Sequence, residues 1–263
     1  MSGAASAYLI AELRRRRELA GLTQEQWGAA LHWSAQHVSA VERGARPIRL
    51  DYLATIDRVF NCDYSTLWEL LLRTERAPVW LRPWLEHERE AIMLRCYEPL
   101  LVPGLLQTEA YARVILTHAG VAIDDVDTTV GDRLGRQEIL HRAERPCRFV
   151  GVIDEAVLTR AVGGPAVMRE QVLALIAACD RPNVSIQVVP AGVGAYPGLN
   201  GPFTLASLDG RAAGFVDGPL EGQTIELEAD LTRLEHAWES LREYALPSEQ
   251  SVALMQEAAD RWA

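Results

Sequence analysis

Between residues 9 and 71 the apolar positions recur every three or four residues in short runs, the spacing of helices that each bury one stripe. Ile10, Leu13 and Ala20 give a first helix an inner face, and Gly21 is placed to cap its end. Thr23 is placed to N-cap a second helix over 24–31. Ser34 does the same for a third over 35–43, which Gly44 and then Pro47 stop. In this third helix Val38 and Val41 point inward, leaving Ala35, Gln36, His37, Ser39, Ala40 and Arg43 outward. Leu53, Ile56 and Phe60 mark a fourth helix, and Leu67, Leu70 and Leu71 a short fifth.

Beyond residue 72 the pattern changes. A helical connection over 73–90 carries Trp80 and Trp84 at helical spacing, set to dock the preceding helices or to build a second core. From 91 the chain alternates between types. A strand over 91–97 leads through a Pro-Gly turn to a helix that Thr108 can cap. A further helix follows in "VDTTVGDRLGRQEILHRAERP". Next come a strand over 147–155, a helix over 166–180, and strands over 184–190, 201–208 and 213–218. Leu227, Leu231, Leu234, Trp238, Leu241 and Ala245 alternate steps of four and three, suited either to one helix lying on a sheet or to a dimer seam. A last helix turns Val252, Met255, Ala259 and Trp262 inward. The expected fold is α+β: an all-helical domain over 1–72, a helical connector over 73–90, and a larger α+β domain over 91–263 with one sheet and a helical C-terminus.

Composition narrows the class. With 49% hydrophobic and 24% charged residues the chain reads as an ordinary globular protein. No apolar run approaches a membrane span, and the basic residues near the start follow the short apolar patch, the reverse of a secretory signal. A cytoplasmic protein is expected, with no membrane partner. Cys62, Cys96, Cys147 and Cys179 are isolated, which fits neither a zinc site nor a disulfide scaffold, so no metal and no cofactor are expected. All 26 basic residues are arginine. The net charge of -10 is uneven: residues 1–60 carry 8 Arg against 6 acidic groups, and the remainder 18 against 30. A near-neutral head on an acidic body suits a small DNA contact joined to a larger module of another kind.

No catalytic constellation emerges, and no enzyme is expected. "LEHERE" lacks the second histidine of a zincin, and no nucleophile elbow occurs. Asp154 and Glu155 are adjacent on a strand and face opposite sides. "GVGAYPG" (192–198) is a weak phosphate cradle and a better loop at the rim of a pocket. Arg133, Arg136, Arg142, Arg145 and Arg148 form a basic run with two readings, a solvated face or a site for an anion or acidic partner. The "VPGLLQTEAYAR" turn likewise either packs, through Leu105, Leu106 and Tyr111, or rims a site with Gln107 and Arg113 as anchors.

The head also carries a family resemblance. "LRRRRELAGLTQEQWGAAL…SAQHVSAVERGARP" resembles the phage-repressor (Xre/Cro) helix-turn-helix family over about residues 8–62. The resemblance implies that Gln24 clamps a phosphate and braces the recognition helix. It places Gln36, His37 and Ala40 at base edges, and Arg43 with the Gly44 amide at the DNA backbone. Ser34, Ala35, Ser39 and Arg46 complete the expected DNA-binding set. Arg17 and Glu42 match the family's interhelical ion pair. Glutamine suits adenine, and a short side chain suits a thymine methyl. His32 stands where the family's turn needs positive φ, a region that histidine tolerates better than most residues. Trp27 and Trp33 replace a leucine and a buried valine. The alternative is a three-helix core that has lost DNA binding and serves as a packing domain.

The body resembles the C-terminal domain of actinobacterial WhiJ-like, antitoxin-like regulators, through "YEPLLVPGLLQTEAYAR", "GRQEILHR", "IDEAVLTRAVGG" and "YPGLNGPFTL"; Asp217 departs from the family pattern. This implies a sensing or partner-binding module, with Gln107, Tyr111, Arg113, Arg136 and Tyr196 as candidate effector or partner contacts. Two functions stand open. One is a dimeric regulator that reads an inverted repeat in double-stranded DNA and answers to a small-molecule effector or a small neighbour-encoded protein. The other is an antitoxin-like protein that sequesters such a neighbour and autoregulates its operon.

Overall fold

The computed structural model describes residues 4–46, 48–68, 70, 77–78, 80–118, 125–218 and 220–263. They form two compact units, Met1–Pro78 and Val79–Ala263. The first unit is all helical. Helix α1 spans Ala4–Leu19, α2 Gln24–Leu31, α3 Ala35–Glu42 and α4 Leu50–Phe60, and residues 64–68 are again helical. Its core gathers Leu9, Leu13, Trp27, Leu31, Val38, Val41, Tyr52, Leu53, Ile56, Tyr64 and Trp68. The inner stripe of α1 differs from the expected one. Leu9, Leu13 and Arg17, spaced by four, are buried, while Ile10 is half-buried and Ala20 exposed. Leu67 packs against this core, Leu70 is exposed, and Leu71 lies outside the described residues.

The second unit is α+β, built on one six-stranded sheet in the order β3-β2-β1-β4-β5-β6. After α5 (Arg82–Glu90) come β1 (Met93–Glu98), α6 (Glu109–Thr117), α7 (Val126–Arg136) and β2 (Arg148–Asp154). A one-turn α8 (Ala156–Thr159), α9 (Pro165–Cys179) and β3 (Val184–Val189) follow. β1, β2 and β3 run parallel, joined by these helical crossovers. β4 (Phe203–Ser207), β5 (Ala212–Val216) and the short β6 (Gln223–Ile225), which the sequence pattern did not reveal, form an antiparallel meander against β1. The chain ends in α10 (Glu228–Arg242) and α11 (Ser248–Arg261).

Both faces of the sheet are covered, which is why β2 reads as a continuous apolar run. One face packs Leu94, Phe149 and Ile186 against Trp84, Tyr111, Leu175 and Met255. On the other, Tyr97, Val152 and Leu205 meet Trp238 and Leu241 of α10. The heptad-like stripe of α10 therefore lies on the sheet. Gly214 permits that approach, since a Cβ there would stand 2.7 Å from Leu234 Cδ1. The connector helix also joins this unit: Trp84 stacks on Phe215 at 5.3 Å. The free edge of β3 is closed by α11 and the segment before it. Ser251 Oγ accepts from the Val188 amide at 3.0 Å, and the Leu246 amide donates to Val188 O at 2.8 Å.

In the first unit one glycine sets the distance between α2 and α3. A Cβ on Gly28 would lie 2.6 Å from the Trp33 carbonyl oxygen, a backbone atom that moves only with the whole turn. Gly28→Ala is expected to destabilise the first unit by about 1–3 kcal/mol, read as a lower urea midpoint; an unchanged midpoint would mean that the helices separate freely.

Candidate nucleic-acid interface

The turn between α2 and α3 forms with the residues at hand. Thr23 Oγ1 accepts from the Gln26 amide at 3.2 Å and Gln26 Oε1 accepts from the Thr23 amide at 2.9 Å, a capping box that starts α2. His32 ends the helix at φ 58° and ψ 34°, the left-handed conformation the turn requires. A histidine there carries strain of order 1–2 kcal/mol, which the closed turn absorbs. The Trp33 amide donates back to Gly28 O at 2.8 Å, and Ser34 Oγ accepts from the His37 amide at 3.1 Å to start α3. Both tryptophans fit. Trp27 is buried, stacks on Phe60 at 4.2 Å and donates to Tyr52 Oη at 3.3 Å. Trp33 is half-buried and meets Tyr52 edge-on.

Helix α3 is held by its last residue. Arg17 donates to both oxygens of Glu42, at 2.6 and 3.0 Å, and also to Leu22 O at 2.9 Å. Gln24 Nε2 donates to Glu42 Oε2 at 2.8 Å. Burial works to raise the Glu42 pKa, but these donors outweigh it and hold the carboxyl below its ordinary value. Gln24 thus braces the recognition helix. What α3 leaves outward is Gln36, Ser39, Ala40 and Arg43, at steps of three and four along one face, with Gln36 and Arg43 exposed and Ala35, Ser39 and Ala40 partly so. Arg46 is exposed beyond Gly44, which adopts φ +69°.

His37 departs from the expected outward position. It is only 5% exposed, tilted on Trp33 at 4.2 Å and near Tyr52 at 5.3 Å. Trp33 lies one turn earlier on the chain, and its large face draws the imidazole inward, away from the expected base-edge row. Arg46 Nη1 donates to His37 Nδ1 at 2.7 Å. Burial lowers the His37 pKa, and the Arg46 charge lowers it further.

In the second unit the five candidate contacts do not converge on one open surface. Gln107 is buried, with Nε2 donating to Val102 O at 2.8 Å and Oε1 accepting from Arg133 at 2.8 Å. Tyr111 is fully buried and accepts from the Val102 amide. Arg136 clamps Glu88 through two bonds of 2.7 and 2.8 Å. Tyr196 is buried, donates to Asp154 Oδ2 at 2.6 Å and lies 2.6 Å from the Tyr97 hydroxyl. Arg113 is on the surface and pairs with Glu109 and Asp127. Gln107, Tyr111 and Tyr196 are thus buried with their partners, as amides and phenols on apolar faces usually are, and Arg136 is half-buried against Glu88.

A family model described as a helix-turn-helix domain matches residues 9–68. A second, described as a domain of unknown function (DUF5753), matches residues 81–257, or 177 of 263 residues. The chain belongs to that family. No curated protein matches it, and no solved structure does. The helix-turn-helix domain marks this DUF5753 protein as a DNA-binding regulator. Among the described residues no helix is long and apolar enough to cross a membrane.

The DUF5753 domain also holds a polar cluster that the sequence pattern did not single out. Strand register puts Glu98, at the end of β1, and Asp217, just past β5, in one row on the face that carries Leu94 and Ala206. The legible signal was a glutamate continuing the apolar alternation of Leu94 and Cys96. Burial raises the Glu98 pKa to about 8, with Asp217 adding to the shift and Arg133 opposing it. Arg133 in turn is pushed down to about 10, by burial first and by Arg136 second. The folded carboxyl thus keeps its proton where the unfolded one, near 4.5, has lost it. Stability is full below that lower value and declines as pH rises through about 8. Glu98→Gln keeps the shape without the titration, so its melting temperature should exceed the parent's by a few degrees at about pH 8.5 and by less at about pH 5. An equal shift at both pH values would show that Glu98 does not titrate in this range.

Proposed function

We propose that this chain is a transcriptional regulator of the phage-repressor (Xre) type, working as a cytoplasmic homodimer on an inverted repeat. The single observation that carries the reading is the outward row Gln36, Ser39, Ala40 and Arg43 on a recognition helix whose turn is closed and whose end is braced. Glutamine offers an adenine both donor and acceptor, Ala40 offers a thymine methyl a contact, and Arg43 reaches the phosphates. One such helix makes few base contacts, so two heads on half-sites about one helical turn apart are required for useful specificity. The WhiJ-like body binds a small neighbour-encoded protein or a metabolite that changes DNA affinity.

The antitoxin-like alternative is favoured by one observation, the charge of the body. Residues 61–263 carry 18 Arg against 30 acidic groups, a balance of -12 that suits a basic partner surface. Co-expression with the adjacent small open reading frame separates the two readings: failure to co-purify removes the sequestering role.

The operator reading is tested by selecting duplexes from a genomic fragment pool and measuring affinity by fluorescence anisotropy. Gln36→Ala should cost roughly 1–3 kcal/mol on the selected site and relax preference at one position per half-site. Arg43→Ala should weaken binding to all sequences alike and lower the slope of log K against log salt by about one. Selection of no site, or a salt slope unmoved by Arg43→Ala, counts against the assignment.

A further inference from the structure

The neutral imidazole buried beside the outward row has a use that packing alone does not explain. A guanidinium only donates, so the 2.7 Å bond from Arg46 Nη1 makes His37 Nδ1 an acceptor and puts the ring proton of the neutral form on Nε2. Arg46 is tied at its other end as well, since its amide donates to Ala40 O at 3.2 Å. Ala40 belongs to the outward row and Arg46 itself is exposed. The guanidinium is therefore anchored at backbone and tip beside the face expected to meet DNA, and one of its five N–H groups suffices for the histidine. An exposed arginine otherwise loses rotamer freedom when it grips a phosphate, and an arginine already held loses less.

We propose that His37 is a positioning residue: it holds Arg46 ready for a DNA phosphate, and its protonation lets Arg46 go, so that operator affinity falls in acid. The inference rests on the operator reading above and adds a regulation of that same surface. A proton on Nδ1 removes the acceptor and sets two cations against one another. The other groups facing the ring are Arg49, which opposes its protonation, and Asp51, which favours it; Asp51 is itself paired with Arg49 at 2.8 Å. Trp33 and Tyr52 enclose the ring without charge. His37 is depressed below its ordinary value by burial and by Arg46, so the held state is complete at neutral pH and is lost only in acid, below the ordinary histidine range.

The test uses the full chain, the selected operator and constant ionic strength. At about pH 7.5, His37→Ala and Arg46→Ala should each weaken binding roughly three- to tenfold. The double variant should be no weaker than Arg46→Ala alone, because the two act through one contact. His37→Asn places an amide oxygen near the Nδ1 position and cannot titrate. It should bind within about threefold of the parent and stay flat with pH, while the parent loses affinity progressively as pH falls below the ordinary histidine range, by about three- to tenfold once the ring is fully protonated. Additive losses in the double variant, or the same pH profile in the parent and His37→Asn, would overturn the proposal and leave the operator reading intact. A parent chain that selects no operator overturns both. Should His37→Ala fail to fold, ring-nitrogen NMR of the free parent decides: the neutral ring must carry its proton on Nε2, and Arg46→Ala must raise its pKa. The opposite tautomer, or an unmoved pKa, sinks the idea.

Discussion

The placement of α3 depends on one carboxylate. Glu42 ends α3, where the helix dipole already gathers partial negative charge, so an acidic side chain there is unfavourable by itself. It is tolerated because Arg17 from α1 grips both oxygens and Gln24 from α2 adds a third bond. Three helices thereby meet at one largely buried charge, and removing Arg17 leaves that charge without its cation, at a cost of about 3–5 kcal/mol. The direction of α3, and with it the row from Gln36 to Arg43, follows from this tie and from the close approach at Gly28.

The turn shows how a strained residue and two bulky ones are absorbed by the packing around them. His32 accepts the left-handed conformation that glycine would take at no cost. Trp27 and Trp33 are accommodated by Phe60 and Tyr52: Phe60 stacks on Trp27, and Tyr52 accepts from Trp27 and meets Trp33 edge-on. The same crowding draws His37 inward from the outward row of α3 and into the bond with Arg46.

Much of this was legible along the chain because the signals are local. Thr23, Ser34 and Thr108 cap the helices they precede, and the three-and-four spacing places the helices. The central parallel strand β2 stands out as an apolar run between helices. The side-chain partners were not legible. The burial of His37 depends on Tyr52, fifteen residues on. Gln107 and Tyr111 are satisfied by Val102 and Arg133, and Tyr196 by Asp154. β6 was missed since three residues give too short an alternation to see. Glu98 lies one residue past the strand expected over 91–97, and its environment depends on Asp217, which only sheet register brings into the same row.

The central claim is that α3 is the element that meets DNA. Amide NMR perturbation on adding a selected operator duplex tests it most directly. The account predicts that the largest shifts fall at Gln36, Ser39, Ala40 and Arg43, with smaller ones at the start of α2. Shifts centred on α1, on α4 or in the DUF5753 domain, with α3 unmoved, would contradict it.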